Sequence, residues 1–491
     1  MLLGIDVGTS SIKGMVMEED GKILAVCARN YDVSFPQANR AEQDPRMWWE
    51  GLCQVMEELR EKCPKMKENL RGIGLSGQMH GLVAIDREGT PVRPAIIWMD
   101  QRSTKELEEI NEKIPTQKQG EIFHNRVFNG FALPSLLWVK QEEPEVYEKI
   151  DKIFQPKDYI RYCMTGEEGT EESDASAALL MDVGKRDWAW EELEILGIRK
   201  DILPSLGHSW EIAGRVTEKA AKELGIQKGI PVVYGAGDQQ AQSIGNGAVR
   251  EGLLISNIGT GAQVSCYSKK DRYDKELRTH TFCHGIPDGY TIYGAMLSGG
   301  MSLKWMKNNI LQAESFDQLS AMASEIAPGS EGVIFLPYLS GERTPLMNPR
   351  ARGMFFGLSV DQDRRHLTRA VMEGVTYALK SSLDILQGMG IDGKRILASG
   401  GAAQSPVWLQ IQADILEKEV QVCKVKEQAC LGACILAGVG CGIYADIGQA
   451  CEKLVSYEDK IYLPNQKNQS IYREQYGKFQ GLYENTKNFL Q

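Results

Sequence analysis

Residues 1–14 read MLLGIDVGTSSIKG, two apolar runs separated by a turn at Gly8-Thr9-Ser10. The first run ends at Asp6 and the second continues to Met17, a pattern that predicts a β-hairpin. The tip suits phosphate, because glycine lets backbone N–H groups approach an anion and the two hydroxyls add donors. Asp6 could hold a magnesium ion that neutralises phosphate charge. An ordinary tight turn beside an aspartate explains the same residues. A second feature of the sequence is therefore needed to choose between a phosphate-binding turn and an ordinary one.

A second copy of this pattern occurs near the middle of the chain. The apolar run 253–258 ends at the turn Gly259-Thr260, and another apolar run begins at Ala262. Two phosphate-sized turns at the start of two halves predict an internal duplication, with a nucleotide in the cleft between the halves. Two unrelated hairpins are the alternative that this pattern leaves open.

A third glycine turn also favours a nucleotide ligand. Residues 394–399 form a predicted strand that runs into Gly400-Gly401, and Ser405-Pro406 then opens a predicted helix. A strand, a glycine turn and a helix N-terminus are a common arrangement for binding nucleotides. The chain has no Gly-x4-Gly-Lys-Ser/Thr motif and no protein-kinase loop set, which sets those two classes aside.

The composition limits the range of partners. With 491 residues the chain is long enough for two or three domains. The net charge of −10 disfavours nucleic acid and anionic membrane surfaces as partners and favours a small ligand. Eleven cysteines at irregular spacing, without a Cys-x-x-Cys pair, predict buried thiols in a reducing compartment. No signal-peptide pattern precedes the first strand, so we expect a cytoplasmic protein.

One uncharged stretch, residues 429–445, could be mistaken for a membrane span. It is shorter than the roughly 20 apolar residues that a span needs, and four glycines interrupt it. We therefore expect a helix of small residues buried against a sheet. Near the N-terminus, Asp44 and Pro45 predict the N-cap and the first residue of an amphipathic helix.

The ordered motifs of the chain resemble the FGGY carbohydrate kinases, and within them the xylulokinase branch, over nearly the whole length. The matching stretches are residues 4–10 (GIDVGTS), 41–45 (AEQDP) with Trp48-Trp49, 76–81 (SGQMHG), 98–102 (WMDQR), 155–159 (QPKDY), 235–238 (GAGD), 335–345 (FLPYLSGERTP), 353–357 (GMFFG) and 399–401 (SGG). The resemblance implies an α/β protein of two ribonuclease-H-like domains, as in actin and hexokinase, with ATP in the cleft between them. Residues 1–246 would bind the sugar, 247–450 would bind ATP, and 451–491 would form a helical tail on the second domain.

The resemblance also implies roles for individual residues. Asp238 matches the catalytic base and Asp6 the aspartate associated with Mg²⁺, so both are expected at the metal. The residues expected at the nucleotide are Gly8, Thr9, Ser10 and Lys13 at the first phosphate turn, Gly259 and Thr260 at the second, and Gly400, Gly401 and Gln404 beside adenosine. An unperturbed aspartate, with a pKa of about 4, is a weak base. It is adequate because a loose phosphoryl-transfer transition state mainly needs an oriented nucleophile and neutralised oxygens.

The sugar site is expected mainly on the first domain. Met79 and His80 match the pair that meets the ketose in xylulokinases, with His80 expected to donate a hydrogen bond to a sugar hydroxyl. Trp98 is expected to line the same site. Asp100 and Arg102 either brace it or form a surface or interdomain ion pair.

Several residues depart from the xylulokinase pattern. Gln239, which is expected at the substrate, follows the base as in glycerol kinases, where xylulokinases have Asn. Ser135 stands where the family usually has Lys, and Gly261 replaces the usual Ser of the second phosphate turn. Residues 335–345 are highly recognisable, and we interpret them as scaffold. Met79-His80 and Gln239 thus point to different sugars.

The resulting hypothesis is an ATP-dependent kinase that converts D-xylulose to D-xylulose 5-phosphate. Other ketoses or polyols (glycerol, ribulose, L-xylulose and sedoheptulose) are alternative substrates. A non-catalytic nucleotide sensor or an actin-like assembly protein on the same fold is the alternative from another class. The presence of both Asp6 and Asp238 argues against it. The oligomeric state is not readable from the sequence, and a homodimer is one option.

Overall fold

Two β-sheets form the framework of the protein in the computed structural model, which describes residues 1–489. The strands are Leu2–Val7 (β1), Ser11–Met17 (β2), Ile23–Asn30 (β3), Glu42–Gln43 (β4), Gly72–Gly77 (β5), Val83–Ile85 (β6), Ala95–Ile96 (β7), Lys152–Phe154 (β8), Thr170–Glu171 (β9), Met181–Asp182 (β10), Asp187–Trp188 (β11), Leu206–Gly207 (β12), Ile212–Arg215 (β13), Pro231–Val233 (β14), Ala236–Gly237 (β15), Leu253–Ile258 (β16), Ala262–Ser268 (β17), His280–Cys283 (β18), Tyr290–Met296 (β19), Ile334–Leu336 (β20), Met354–Phe356 (β21), Arg395–Ser399 (β22) and Glu419–Val422 (β23).

Helices cover the faces of these sheets. They are Pro45–Lys62 (α1), Met66–Asn69 (α2), Thr104–Lys113 (α3), Thr116–Phe123 (α4), Ala132–Glu142 (α5), Pro144–Tyr147 (α6), Pro156–Thr165 (α7), Glu172–Ala177 (α8), Trp190–Ile195 (α9), Glu218–Leu224 (α10), Asp238–Gly245 (α11), Gly300–Trp305 (α12), Phe316–Ser324 (α13), Arg364–Gly388 (α14), Pro406–Leu416 (α15), Gln428–Gly440 (α16), Ile447–Leu454 (α17) and Gln466–Thr486 (α18). Among residues 1–489, no helix is both long and apolar enough to cross a membrane.

The two sheets share a core of five strands with one topology. The first has the order β13-β14-β5-β1-β2-β3, with β15 also paired to β5, and the second has the order β18-β19-β17-β16-β22-β23. In each sheet a hairpin and a third antiparallel strand are followed by two parallel strands. The predicted duplication and the ribonuclease-H-like α/β fold are therefore confirmed. We call the halves built on these sheets the first lobe and the second lobe.

The helix predicted at Asp44 and Pro45 is confirmed. Asp44 caps α1, since its side chain accepts a hydrogen bond from the Arg46 backbone N–H at 3.0 Å, and Pro45 occupies the first turn. The apolar face of α1, which includes Trp48 and Leu52, is buried against β2 and β3. This helix therefore covers the outer part of the first sheet.

Helix α16 is the buried helix of small residues expected from 429–445. It packs on β1, β5 and α11, with its backbone directly against theirs. A Cβ added to Gly74 would lie 2.0 Å from the Ala433 carbonyl oxygen, and one on Gly4 would lie 2.1 Å from the carbonyl oxygen of Cys430. Residues 428–440 fall within the predicted second domain, yet they pack on the first sheet.

The long C-terminal helix α18 lies on the second lobe. The Tyr472 hydroxyl accepts a hydrogen bond from Arg369 Nη2 at 2.7 Å, and the Tyr476 hydroxyl donates to Asp384 Oδ2 at 2.6 Å. Both partners belong to α14. Residues 490–491 of the predicted tail lie outside the described residues.

The close contact beneath α16 can be tested with Gly74→Ala. We expect this variant to lower the free energy of unfolding by at least about 1–3 kcal/mol, because the new methyl group would overlap the backbone of α16. Equilibrium chemical denaturation measures the change. Gly477→Ala is the matched control, since no atom lies within 4 Å of its added Cβ, and it should be neutral or stabilising. Equal effects of the two variants would contradict this packing.

Candidate active site

Two carboxylates meet at the edge of the first sheet. Asp6 lies near the end of β1, and Asp238 begins α11 directly after β15. Because β1 and β15 both pair with β5 in parallel, their carboxyl ends lie on the same edge of the sheet. The Ser76 hydroxyl donates a hydrogen bond to Asp6 Oδ1 at 2.9 Å and orients that side chain.

Burial in the cleft changes the acidity of both groups. It raises the pKa of Asp238 to about 7, and the nearby negative charge of Asp6 acts in the same direction. Burial also raises the pKa of Asp6, while the hydrogen bond from Ser76 opposes the rise. The expectation of an unperturbed aspartate was therefore wrong. A base whose pKa lies close to neutrality is stronger than one at about 4.

The first glycine turn is held by side chains from three directions. Trp98 Nε1 donates to Thr9 Oγ1 at 2.9 Å, and Gln43 Nε2 donates to the Thr9 carbonyl at 2.8 Å. Thr9 Oγ1 in turn donates to Gln78 Oε1 at 3.2 Å. Trp98, predicted at the sugar, thus contacts the turn itself. The sequence did not identify Gln43 and Gln78, although both stand in motifs that carry the family resemblance.

Lys13 lies beside Asp6 but already has a partner. The two residues are opposite each other in the β1–β2 pairing. Lys13 Nζ lies 2.6 Å from Glu427 Oε2, just before α16, so this ion pair ties β2 to the later part of the chain. Its positive charge is thereby partly neutralised.

The second glycine turn borders a cavity of about 340 Å³ in the second lobe. The residues expected there, Gly259, Thr260, Gly401 and Gln404, line it. The sequence missed other lining residues, namely Gly300, Met301, Lys304, Phe316, Ser320 and Trp408. The N-terminus of α12 supports the turn, because the Gly300 N–H donates to the Gly259 carbonyl at 2.8 Å.

The glycine backbone at Gly259 is open to this cavity and can be approached by an anion. A Cβ added to Gly259 would have no protein atom within 4 Å, so its backbone faces open space. Gly400 is different, because its φ of +75° suits glycine and a Cβ there would lie 2.5 Å from the Ile258 carbonyl oxygen. The arrangement therefore fits a nucleotide whose phosphates approach Gly259.

Met79 and His80 follow β5, the strand that pairs with both β1 and β15. Met79 packs against Gly237, whose added Cβ would lie 2.8 Å from Met79 Cγ. His80 Nδ1 lies 2.7 Å from the Ala177 carbonyl, and since a carbonyl only accepts, Nδ1 carries the proton. Burial lowers the pKa of His80 to about 4, so the ring is neutral and Nε2 is an acceptor. The prediction that His80 donates to the sugar is therefore corrected.

Asp100 and Arg102 form an ion pair inside the first lobe. Arg102 Nη2 lies 2.7 Å from Asp100 Oδ2, and both side chains are almost fully buried. Asp100 Oδ2 also accepts from the Ala41 N–H at 2.7 Å, and the guanidinium lies over the Trp138 ring. The alternative of a surface or interdomain pair was wrong, and these residues brace the loop that ends near Trp98.

Gln239 connects the lobes next to Asp238. Its Oε1 accepts a hydrogen bond from Gln263 Nε2, which comes from β17 of the second lobe. Close by, Asn257 Nδ2 donates to Gln242 Oε1 at 3.0 Å. Hydrogen bonds from Gln239 to Asp238 lower the pKa of that carboxyl against the larger effect of burial. Gln239 therefore links Asp238 to the opposite side of the cleft.

A buried charge cluster supports the strand that leads to Asp238. Lys157 Nζ lies within 3.3 Å of three buried carboxylates, those of Asp158, Glu171 and Asp174. Ser173 Oγ donates to Glu171 Oε1 and accepts from the Gly237 N–H at 3.0 Å. Lys157 and Asp158 stood in the motif 155–159, whereas Glu171, Ser173 and Asp174 were not identified from the sequence, because their convergence depends on the folded chain.

Duplicated lobes, paired carboxylates at the cleft and a glycine-lined cavity in the second lobe are the architecture of a two-lobed phosphotransferase. The N-terminal domain of the FGGY family of carbohydrate kinases matches residues 1–245, and the C-terminal domain matches residues 254–441. The chain therefore belongs to the FGGY family of carbohydrate kinases. Its substrates are a sugar and ATP, and it is an enzyme.

Individual relatives cover nearly the whole chain. A xylulose kinase of Lactococcus lactis is 36% identical over 486 residues, covering 99% of this chain and 97% of the relative. A gluconokinase of Bacillus subtilis is 33% identical over 460 residues, covering 90% and 87%. The crystal structure of a xyloylose kinase from Brucella ovis superposes with a TM-score of 0.94 at 33% identity and 99% coverage of both chains.

The open space at Gly259 yields a test of the nucleotide site. Gly259→Ala should leave the free energy of unfolding unchanged, because the methyl group meets no protein atom. It should raise KM for ATP roughly tenfold, a loss of about 1.4 kcal/mol of binding, because the methyl group occupies space next to the phosphates. Steady-state kinetics check this, with Gly477→Ala as the control. An unchanged KM for ATP would place the phosphates elsewhere.

Proposed function

We propose that the protein phosphorylates D-xylulose at its 5-hydroxyl with ATP as the donor. The observation that carries this proposal is the position of Met79 and neutral His80 just after β5, beside the end of β15 that leads into Asp238. Relatives that bear the name xylulose kinase support the same substrate. A hydrogen-bonding site of this kind discriminates strongly among hydroxylated substrates, because unpaired buried polar groups are costly.

In the proposed reaction, Asp238 takes the proton of the 5-hydroxyl as its oxygen attacks the γ-phosphorus of ATP. The new bond joins that oxygen to phosphorus, and the bond between the γ-phosphorus and the bridging oxygen of ADP breaks. The pKa of about 7 lets Asp238 accept the proton near neutral pH. His80 Nε2 accepts a hydrogen bond from another hydroxyl and holds the sugar in place.

Asp6 and Asp238 are suited to a divalent cation. They are two half-buried carboxylates with raised pKa values and no cation beside them among the described residues other than the paired Lys13. Residues 1–489 contain no group of three or more His, Cys, Asp or Glu side chains placed to hold a metal. Mg²⁺ commonly binds through one or two carboxylates and the phosphates, and when bound it supplies charge neutralisation.

We assign the nucleotide to both glycine turns. Its phosphates would lie between Gly8-Thr9-Ser10 and Gly259-Thr260, and adenosine would occupy the 340 Å³ cavity beside Gly401 and Gln404. The contact between Gln239 and Gln263 lies where the two lobes meet around the base. Approach of the lobes would exclude water from the transferring phosphoryl group.

Two observations support a second candidate substrate. Gln239 follows the base as in glycerol kinases, and one relative bears the name gluconokinase. A polyol or an aldonate at the same site would be phosphorylated by the same chemistry, so the choice concerns the sugar alone.

A substrate panel tests the proposal. Release of ADP should be fastest with D-xylulose among D-xylulose, L-xylulose, D-ribulose, L-ribulose, glycerol, sedoheptulose and D-gluconate. Asp238→Asn should lower kcat by about 10²–10⁴-fold, the usual contribution of a general base, while the Kd for ATP changes little. Retained turnover in this variant would remove Asp238 from the role of base, and no ADP with any sugar would contradict the proposed activity.

A further inference from the structure

Arg343 lies in a segment that is attached to the edge of the second sheet. The Thr344 N–H donates to the Ala295 carbonyl at 3.0 Å, and the Ala295 N–H donates to Thr344 Oγ1 at 3.1 Å. Strand β18 pairs with β19 only as far as Tyr293, so this segment takes over the edge beyond that residue. Glu342 Oε1 fixes it further by accepting from the Leu297 N–H at 3.0 Å.

The adjacent face of the second sheet is the wall of the cleft. Strand pairing places three side chains on this face: Gln263, His280 and Tyr293. Gln263 contacts Gln239 of the first lobe, and His280 Nδ1 lies 3.1 Å from Asn125 Oδ1 of the first lobe. Tyr293 therefore faces the cleft as well.

Arg343 directly precedes Thr344, whose hydrogen bonds with Ala295 place this segment at the edge of the same sheet. Burial lowers the pKa of His80, the hydrogen bond with the Ala177 carbonyl opposes that shift, and the positive charge of Arg343 adds to it. Burial raises the pKa of Tyr293, and the positive charge of Arg343 opposes the rise. The negative charge of Asp238 also reaches Tyr293. Arg343, His80 and Asp238 thus surround one part of the cleft, with Tyr293 close to both Arg343 and Asp238.

In the part of the chain that the structure describes, the Arg343 side chain has no hydrogen-bond or ion-pair partner. Within residues 1–489, no carboxylate lies within 4 Å of its guanidinium, and it donates no side-chain hydrogen bond to them. Its neighbour Glu342 does not pair with it, because Oε1 accepts from the backbone N–H groups of Leu297 and Arg343. The side chain is partly exposed, so its donors can reach a ligand in the cleft.

The two groups across the cleft have complementary hydrogen-bonding capacity. Neutral His80 offers an acceptor at Nε2, whereas a guanidinium offers only donors. A sugar hydroxyl can donate to His80, but a carbonyl or carboxylate oxygen can only accept and therefore matches Arg343. Glycerol and other polyols have no such oxygen.

We propose that Arg343 is a substrate-binding residue of the second lobe that donates hydrogen bonds to the carbonyl or carboxylate oxygen at the sugar end remote from the phosphorylated hydroxyl. This inference rests on the proposed function and narrows its substrate class. Ketoses and aldonates fit, and polyols do not. Residues 335–345 would then contribute a sugar contact in addition to their role as scaffold.

The test compares D-xylulose with xylitol, in which the C2 carbonyl is an alcohol. Arg343→Gln should lower kcat/KM for D-xylulose by about 10–100-fold, mainly through KM, and leave kcat/KM for xylitol nearly unchanged. KM for ATP and the slow hydrolysis of ATP without sugar should not change. If Arg343 had a purely structural role, its replacement would be expected to alter these values as well. Arg343→Lys should restore part of the selectivity.

Arg350→Gln, an exposed arginine of the same segment, is the matched control and should behave as wild type. Equal losses for both sugars, or an unchanged kcat/KM for D-xylulose, would overturn the inference. If Arg343→Gln fails to fold, the test uses Arg343→Lys. The ratio of its kcat/KM for D-xylulose to that for xylitol is compared with the wild-type ratio. If the wild-type protein prefers D-gluconate, the same comparison is made between D-gluconate and D-glucitol. If it phosphorylates only polyols, both this inference and the proposed function are contradicted.

Discussion

The direct backbone contact between α16 and the first sheet sets the geometry on which the site depends. Glycines at positions 4 and 74 let the helix lie on β1 and β5 without intervening side chains, and Gly432 lets it approach α11 equally closely. Strand β1 carries Asp6 and helix α11 begins with Asp238. The pairing of β1 and β15 with β5 brings the two carboxylates to one edge of the sheet, and the close packing of α16 holds β1, β5 and α11 together beneath them.

Proximity of two like charges in a buried cleft is unfavourable for folding and useful for chemistry. The pKa of Asp238 rises because burial and Asp6 both disfavour its ionised form. The fold holds this arrangement through neighbours with satisfied hydrogen bonds, such as Ser76 on Asp6 and Ser173 behind Gly237. The raised pKa of the proposed base and the pair of carboxylates proposed to bind a cation have the same electrostatic origin.

Local spacing explains why much of the fold could be predicted from the sequence. Both hairpins, the duplicated turns and the cap at Asp44 depend on residues close together in the chain, and the ordered motifs indicated the family. The state of His80 could not be predicted, because its partner, the Ala177 carbonyl, is 97 residues away. The pKa of Asp238 depends on tertiary burial, and the position of Arg343 depends on an edge left open by β18.

The most direct test of the central claim is the pH dependence of the difference in unfolding free energy between wild type and Asp238→Asn. The unfolded carboxyl ionises near its ordinary pKa of 3.8 and the folded one near 7, so the wild type loses stability as pH rises between these values. The account predicts that the unfolding free energy of Asp238→Asn, relative to that of wild type, increases from about pH 4 to 7 and then becomes constant. When Asp6→Asn is added to both proteins, this difference should become constant at a lower pH. A difference that stays constant from pH 4 to 8 would contradict the account.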